Sequence, residues 1–137
     1  MDQLVWELIA TSSAVKRSCN DVLREFNLGL SGYRMLEIAH TGGSEGVKIY
    51  TAHKTYSHRP DIPRNMDRLE AKGFIERFKR EGNNRDLYVR LTEDGLSAYM
   101  KCRTCLAPVF AKFDGIFTTE GIELFRDDLR SIRTDFK

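Results

Sequence analysis

The chain has 137 residues, of which 22 are Lys or Arg and 20 are Asp or Glu, so its net charge is only +2. This length fits one globular domain and is small for an enzyme with a deep cleft. No stretch approaches the about 18–20 apolar residues of a membrane span, and the N-terminal segment lacks the charged-then-apolar order of a signal peptide. We therefore predict a cytoplasmic protein with no membrane partner.

The positive charge is concentrated in the middle of the chain. Residues 48–90 hold 11 Lys and Arg against 6 Asp and Glu, a net charge of +5, while the remainder carries −3. A polyanion would bind where positive charge is concentrated. The charge distribution therefore indicates a candidate nucleic-acid contact in the middle third of the sequence.

The first predicted helix covers residues 3–26. Along it, apolar and small side chains recur at alternating spacings of three and four, at Val5, Leu8, Ser12, Val15, Cys19, Val22 and Phe26. Such a heptad-like seam is longer than a lone helix in a small domain needs. Asn27 and Gly29 suit a left-handed cap at its end.

Two helices are predicted between this seam and the basic region. Ser31 is expected to be the N-cap of the second helix, whose apolar positions are Tyr33, Leu36, Ile38 and Ala39. The glycine-rich run at residues 41–46 ends it. A short third helix is predicted over about 48–56 from a weak apolar pattern, and residues 57–60 form a turn.

The fourth predicted helix is basic and begins at Asp61, a favourable N-cap, with Pro63 tolerated in the first turn. Its buried stripe is predicted to consist of Ile62, Met66 and Leu69, and Gly73 ends the helix.

Two strands, 74–80 and 86–91, follow this helix and flank a polar loop at residues 81–84. Leu87, Val89 and Leu91 alternate as in a half-buried strand.

The C-terminal third is predicted to be helical. Thr92 caps a helix whose seam contains Leu96, Tyr99, Arg103, Leu106, Phe110, Phe113 and Phe117. Pro108 must bend or break this helix because it removes a backbone hydrogen bond and crowds the preceding turn. Thr118 caps the last helix, whose seam contains Ile122, Phe125, Leu129, Ile132 and Phe136.

Three long apolar seams at the two ends of so short a chain predict a homodimer.

The fourth helix has the composition of a DNA-reading helix. Arg64 and Arg68 are neighbours on the face away from the apolar stripe, and Asn65 can offer a bidentate amide to adenine. Arg64 or Arg59 can offer a guanidinium fork to guanine. The alternative interpretation of the same residues is an ordinary solvated helix face.

The hairpin that follows places Arg85 beside Asn84, where a single arginine on a protruding ribbon suits a DNA minor groove. Lys79 and Arg80 could hold phosphates, and the alternative is a charged exposed hairpin. The complete set of predicted DNA-binding residues is Lys54, His58, Arg59, Arg64, Asn65, Arg68, Lys79, Arg80, Asn84 and Arg85.

Two segments resemble the MarR family of bacterial regulators. Residues 67–77, DRLEAKGFIER, and residues 89–95, VRLTEDG, stand at the family's usual separation, together with Arg64 and Arg85. Weaker similarity extends over residues 30–95. The resemblance implies a mainly α fold with a small β-hairpin, in which a winged helix-turn-helix is flanked by N- and C-terminal dimerisation helices. It also implies a triangular homodimer on pseudo-palindromic double-stranded DNA, with Arg64 and Arg68 in the recognition helix and Arg85 at the wing tip.

The wing differs from the family pattern at two positions. Asn83 stands where the family has the aspartate that orients the wing arginine, and Asn84 stands where it has its first wing arginine. Asp86 follows Arg85 and is expected to supply the missing carboxylate.

The cysteines cannot all pair within one chain, because there are three of them, and reduced thiols are the default in a cytosolic protein. Cys19 is a candidate peroxide-sensing thiol, with buried packing on the first seam as the alternative. Cys102 and Cys105 form a CxxC in the middle of a helix, where neither redox nor zinc chemistry is expected.

No catalytic dyad, phosphate loop or metal motif is present in the sequence, so we predict no enzyme, no cofactor and no metal. Analogy with the family alone places five residues at the border of its usual effector cavity: Tyr33, His40, Trp6, Arg17 and Arg34. The alternative is that these residues pack the hinge.

The functional prediction is a sequence-specific, double-stranded-DNA-binding transcriptional repressor whose affinity responds to a small molecule or an oxidant. The alternatives are a winged-helix protein-interaction module and an architectural or RNA-binding module without operator specificity. The predicted organisation is a dimerisation helix over 1–29, a winged helix-turn-helix over 30–95 and dimerisation helices over 96–137, within one compact domain.

Overall fold

A computed structural model describes residues 1–48 and 61–136, except for the side chain of Asp61. The chain forms two units, Met1–Leu106 and Ala107–Lys137. The helices are α1 (Asp2–Leu23), α2 (Leu30–Thr41), α3 (Asp61–Ala71), α4 (Glu93–Phe110) and α5 (Thr119–Asp135), and the strands are β1 (Val47–Lys48), β2 (Ile75–Arg80) and β3 (Asn83–Leu91). The fold is mainly α with a small antiparallel sheet, as predicted. The functional division at residues 29 and 95 stays a prediction.

The connection from α1 to α2 confirms one predicted cap and corrects another. Asn27 adopts the left-handed conformation, with φ 55°, after a short 3₁₀ turn. Helix α2 begins at Leu30 after Gly29, so the prediction that Ser31 is its N-cap was wrong. The side chain of Asn20 provides the cap instead, because its Oδ1 accepts a hydrogen bond from the Leu30 amide at 2.8 Å. This donor–acceptor pair spans ten residues and ties the end of α1 to the start of α2.

Helix α3 buries the predicted stripe. Ile62, Met66 and Leu69 are 9%, 3% and 1% exposed, while the opposite face is exposed to solvent. The helix ends as predicted at Gly73, whose φ is 77°, and the Phe74 amide donates to the Leu69 carbonyl at 2.9 Å. A left-handed glycine at this position lets the chain leave the helix directly into β2.

The sheet has three strands in the order β1-β3-β2, all antiparallel. The two-strand prediction therefore missed β1, in which Val47 pairs with Val89. Lys48, the predicted first residue of the third helix, lies in β1 instead, and the rest of that prediction falls outside the described residues. A two-residue strand carries too little periodicity to be recognised in a sequence.

The hairpin between β2 and β3 is tighter than predicted. Its turn contains only Glu81 and Gly82, with Gly82 at φ 80°, and Arg80 pairs with Asn83. Asn83 therefore lies in β3 instead of in a loop. The register of β2 against β3 shifts between Phe78 and Arg80. In β3, the predicted alternation of buried and exposed side chains is not observed.

The failed alternation leaves Leu87 42% exposed, while Tyr88 and Val89 are both buried. Arg85, predicted at the hairpin tip, lies within β3. A register shift changes which face each following residue occupies, because side chains in a strand alternate with a period of two.

The junction between the sheet and α4 explains the sequence LTEDG. Thr92 caps α4 as predicted, since its Oγ1 accepts from the Gly95 amide at 3.0 Å. The Thr92 amide donates to the Phe74 carbonyl at 3.0 Å. A Cβ at Gly95 would lie 1.8 Å from that same carbonyl oxygen. Only glycine allows this approach without moving the backbone of Phe74.

Helix α4 contributes Tyr99, Cys102 and Leu106 to the core of the first unit. Two other residues of the predicted seam lie outside this core, since Leu96 is 43% exposed and Arg103 is exposed. Helix α4 continues past Pro108 only as far as Phe110, which agrees with the break expected from proline.

Helix α5 lies in the second unit and starts as predicted. The Thr118 hydroxyl accepts a hydrogen bond from the Gly121 amide at 2.9 Å, and the Phe117 and Phe125 rings stack with centroids 5.3 Å apart. Along its predicted seam, Ile122, Phe125 and Ile132 are 38–44% exposed. Across the described parts of the chain, 1–48 and 61–136, no helix has the length and hydropathy to cross a membrane.

We predict that Gly95→Ala lowers the free energy of unfolding by roughly 3 kcal/mol, because the added methyl collides with a backbone carbonyl that cannot retreat. Urea unfolding monitored by circular dichroism measures this. Gly29→Ala is the matched control, since the nearest atom to its Cβ would be 3.7 Å away. The control should lose no more than about 1 kcal/mol, and equal losses in the two variants would contradict the close-approach explanation.

Candidate nucleic-acid interface

The exposed face of α3 carries the charges that the sequence predicted there. Arg64 and Arg68 are exposed and Asn65 is half-buried. Among the side chains that the structure describes, which do not include that of Asp61, no acid pairs with either arginine. No acid among the described side chains therefore neutralises these two guanidinium groups.

Arg77 on β2 explains why Asp67 and Glu70 of α3 leave these arginines unpaired. Its Nη2 donates to Asp67 Oδ1 at 3.0 Å and to Glu70 Oε1 at 2.7 Å, and its Nε donates to Glu70 Oε2 at 3.1 Å. The hydrogen bonds from Arg77 lower the pKa of the Glu70 carboxyl. Because both carboxylates face β2, their negative charge is withdrawn from the exposed face of α3.

A second contact fixes the C-terminal end of α3. The Lys72 ammonium donates a hydrogen bond to the carbonyl of Asn27, the left-handed residue after α1. Helix α3 is thus attached to the sheet through Arg77 and to the end of the first helical segment through Lys72. These contacts, together with the buried stripe, set the direction in which Arg64 and Arg68 point.

In the hairpin, Asn83 organises the first residues of β3. Its Oδ1 accepts from the amides of Arg85 at 3.1 Å and Asp86 at 3.2 Å, and its Nδ2 donates to Asp86 Oδ2 at 3.1 Å. Asp86 also pairs with Lys48 at 3.5 Å. The hydrogen bond from Asn83, and after it the charge of Lys48, lower the pKa of Asp86.

This arrangement contradicts the expectation that Asp86 orients Arg85. The carboxylate is directed to Lys48 and Asn83, because the neighbouring strand β1, which the sequence did not reveal, brings Lys48 beside it. Arg85 is exposed, and its guanidinium has no partner among the described residues. The side chain remains free to contact an external ligand.

The other predicted wing residues differ in availability. Lys79 and Asn84 are exposed. Arg80 is held against the sheet, since its Nη2 donates to the Glu45 carbonyl at 2.7 Å and its guanidinium lies 3.9 Å from the centre of the Tyr88 ring. The guanidinium of Arg80 therefore stabilises the sheet that carries the wing. Lys54, His58 and Arg59 lie outside the described residues, and their role stays a prediction.

A polar groove of about 370 Å³ lies beside α3, and no local pattern in the sequence indicates it. Arg64, Asn65 and Arg68 line one wall, and Lys16 of α1 lines another. The rest of the lining comes from Asn20 and the first turn of α2. The sequence does not indicate Lys16 as a site residue, because nothing local to it shows that it lies near α3.

The cysteines are placed as structural residues. Cys19 is 1% exposed, and burial raises the pKa of its thiol. Burial also raises the pKa of Cys102 to about 11. Cys105 is half-buried and donates a hydrogen bond to Glu25 Oε1 at 3.7 Å, and its pKa is raised as well. A raised pKa reduces the thiolate fraction that peroxide sensing requires, so this geometry favours the packing alternative for Cys19.

The residues suggested by analogy for an effector cavity are mostly packed together or paired. The Tyr33 and Tyr99 rings stack with centroids 5.7 Å apart, and the His40 ring lies 4.9 Å from that of Tyr99. Burial raises the pKa of Tyr33 to about 12. Arg34 pairs with Glu37 on the same helix. In the described ranges, no group of three His, Cys, Asp or Glu side chains is arranged to hold a metal ion.

We predict that the thiols react in order of exposure. With a small disulfide reagent on the folded protein, Cys105 should react first, while Cys19 and Cys102 should become reactive only on unfolding. Absorbance of the released thiolate, with Cys105→Ser as the control variant, measures this order. Rapid labelling of Cys19 in the folded Cys105→Ser variant would contradict its structural assignment.

Comparison with known proteins identifies the fold. The homoprotocatechuate degradative operon repressor of Escherichia coli is 23% identical over 122 residues, which cover 89% of this chain and 82% of the repressor. No family model matches the chain.

Solved structures superpose over nearly the whole chain. CouR from Rhodococcus jostii RHA1 bound to p-coumaroyl-CoA has a TM-score of 0.83 at 22% identity, with 96% of this chain and 92% of CouR covered. The Staphylococcus aureus MepR–DNA complex has a TM-score of 0.79 at 15% identity, with 96% of each chain covered. A mutant of E. coli MarR complexed with operator DNA has a TM-score of 0.77 at 17% identity, with 95% and 93% covered. The chain therefore has the winged-helix fold of MarR-family regulators, as its sequence resemblance implied.

Proposed function

We propose that this chain, which has the fold of MarR-family transcriptional regulators, is a homodimeric, sequence-specific regulator that binds double-stranded DNA. The observation that carries the proposal is the exposed face of α3. There, Arg64 and Arg68 lack acidic partners among the described side chains, while Asp67 and Glu70 of the same helix are held on β2 by Arg77. The MepR and MarR structures named above contain DNA, which supports the same function for this fold.

Helix α3 is the proposed recognition helix. A helix enters the major groove with one face held by the protein and the other presented to phosphates and base edges. The buried Ile62, Met66 and Leu69 hold the first face. Arg64 and Arg68 can each present a two-pronged donor to guanine or to a phosphate, and Asn65 can pair with adenine.

The β2–β3 hairpin is the proposed wing. Arg85 on β3 would enter the minor groove, where the negative potential attracts an arginine. Lys79 and Asn84 would contact the backbone. Arg80 would act as a positioning residue, because its guanidinium is engaged by Glu45 and Tyr88.

A second copy of the chain is the proposed partner for the terminal helices. In α1, Leu4, Val5, Trp6 and Ile9 are 49–69% exposed, and the apolar seam of α5 is similarly open. Apolar faces of this size on helices mark an interaction surface. Pairing two identical chains through both ends would bury these faces and would present two copies of α3 to a pseudo-palindromic site.

The proposal extends to the sign and control of regulation by analogy with two similar proteins. The E. coli relative is a repressor, and CouR was solved with p-coumaroyl-CoA. By analogy, this protein would act in the cytoplasm as a repressor, and a small molecule would lower its affinity for DNA. A ligand that favours a different separation of the two α3 helices would weaken simultaneous docking.

Selecting bound duplexes from a random DNA pool tests the proposal. Against the selected duplex, Arg85→Ala should weaken binding by about 1–3 kcal/mol without changing the unfolding free energy, since its guanidinium has no partner among the described residues. Arg126→Ala, on α5 beside its ion-pair partner Glu123, is the matched control and should bind normally. If no duplex is enriched, the proposed sequence-specific DNA binding is wrong. If Arg85→Ala binds like the control, the assignment of the wing is wrong.

We predict that Ile132→Lys produces a monomer and lowers DNA affinity at least tenfold, because it places a charge in the proposed dimer interface. Sedimentation equilibrium measures the mass. The control is Thr134→Lys, on the exposed opposite face of α5, which should remain dimeric. A wild-type protein that is monomeric at micromolar concentration and still binds the selected duplex would contradict the dimer.

A further inference from the structure

We propose that the groove between α1, α3 and the first turn of α2 binds a phosphodiester group of the DNA backbone, with Lys16 as a direct contact. This inference rests on the proposed DNA binding and extends it to a helix outside the winged region. It assigns α1, the proposed dimerisation helix, a contact with DNA.

Positive charge is the first property of the groove that indicates this ligand. Lys16, Arg64 and Arg68 line the same space of about 370 Å³. No acidic residue is among the described residues that line it. Asp67, the acid next to Arg68, is already held by Arg77 at 3.0 Å. Three like charges around one cavity repel one another, and a bound anion would offset that repulsion.

The start of α2 supplies further donors to the same cavity. Asn20 Oδ1 accepts from the Leu30 amide at 2.8 Å, which fixes the helix start against α1. The next amides, of Ser31 and Gly32, belong to the first turn of a 12-residue helix and have no acceptor within that helix. The partial positive charge of these two N–H groups adds to the charge of the three cationic side chains.

The lining distinguishes a phosphate from a typical small-molecule effector. Effector pockets are lined mainly by apolar and aromatic side chains. In this groove, the side chain of Leu30 is the apolar member of a lining that otherwise consists of Lys, Arg, Asn, Ser and Gly. The groove also adjoins the exposed face of α3, which already has to lie against DNA. A backbone phosphate beside the recognition helix therefore fits this lining better than an aromatic ligand does.

The consequence is a direct link between dimer geometry and DNA contact. Helix α1 carries the exposed apolar residues of the proposed dimer interface near its start and Lys16 further along. A shift of α1 at the dimer interface would move Lys16 relative to Arg64 and Arg68. The phosphate site would then open without any change within α3.

The salt dependence of DNA binding tests the inference on the full-length protein. Lys16→Gln should reduce the slope of log Kd against log salt by about 1 per subunit, because one phosphate contact is lost. Affinity should fall by a similar factor on the selected duplex and on a random duplex. Arg17→Gln, an exposed neighbour that does not line the groove, should leave the slope unchanged, and Lys16→Arg should restore it. An unchanged slope in Lys16→Gln overturns the inference.

Neutral methylphosphonates placed singly in the selected duplex identify the source of the phosphate. One position per half-site should weaken binding of the wild type more than it weakens binding of Lys16→Gln, because Arg64 and Arg68 remain in the variant. If no such position exists and inorganic phosphate instead shifts the NMR signals of the Ser31 and Gly32 amides at low millimolar concentration, the groove takes a free anion and the inference is wrong.

Failure of this inference can be separated from failure of the proposed function. Normal salt dependence in Lys16→Gln, with weakened binding in Arg68→Ala and Arg85→Ala, would contradict only the proposed groove contact. Normal binding in all three variants would contradict the proposed DNA interface as well.

Discussion

The proposed contact with DNA depends on the one-sided packing of α3. Ile62, Met66 and Leu69 hold one face in the core, and Arg77 draws Asp67 and Glu70 toward β2. If Asp67 were instead free to pair with Arg64, three positions earlier, the exposed face would be less positive and would attract a polyanion less strongly. A single arginine on a strand thus controls the charge of a helix face that it does not itself occupy.

The junction between α3, the sheet and α4 has a similar importance for the wing. The Phe74 carbonyl accepts from the Thr92 amide and lies where any Cβ at Gly95 would be. This close approach ties the end of α3 to the start of α4 through β2 and β3. The hairpin that carries Arg85 is therefore positioned relative to α3 by backbone contacts, as a DNA-binding wing has to be if both elements are to reach one duplex. Lys48 and Asn83 complete that positioning by engaging Asp86.

Local patterns in the sequence predicted the features that depend on neighbouring residues. The buried stripe of α3, the left-handed Gly73 and the caps at Thr92 and Thr118 are all encoded within a few positions. The features that were missed depend on residues far apart in the sequence. Asn20 replaces Ser31 as the cap of α2 from ten positions away. Strand β1 forms only because β3 lies beside it, and Lys16 faces Arg64 and Arg68 only once α1 and α3 are packed.

Protection of guanine N7 on duplexes selected from a random pool tests the central claim most directly, because N7 is exposed in the major groove. If two copies of α3 enter successive major grooves, dimethyl sulfate methylation should be suppressed in two patches about 10 base pairs apart, and the suppression should weaken in Arg64→Ala. Methylation that is unchanged by bound protein, or protection confined to a single patch, would contradict the account.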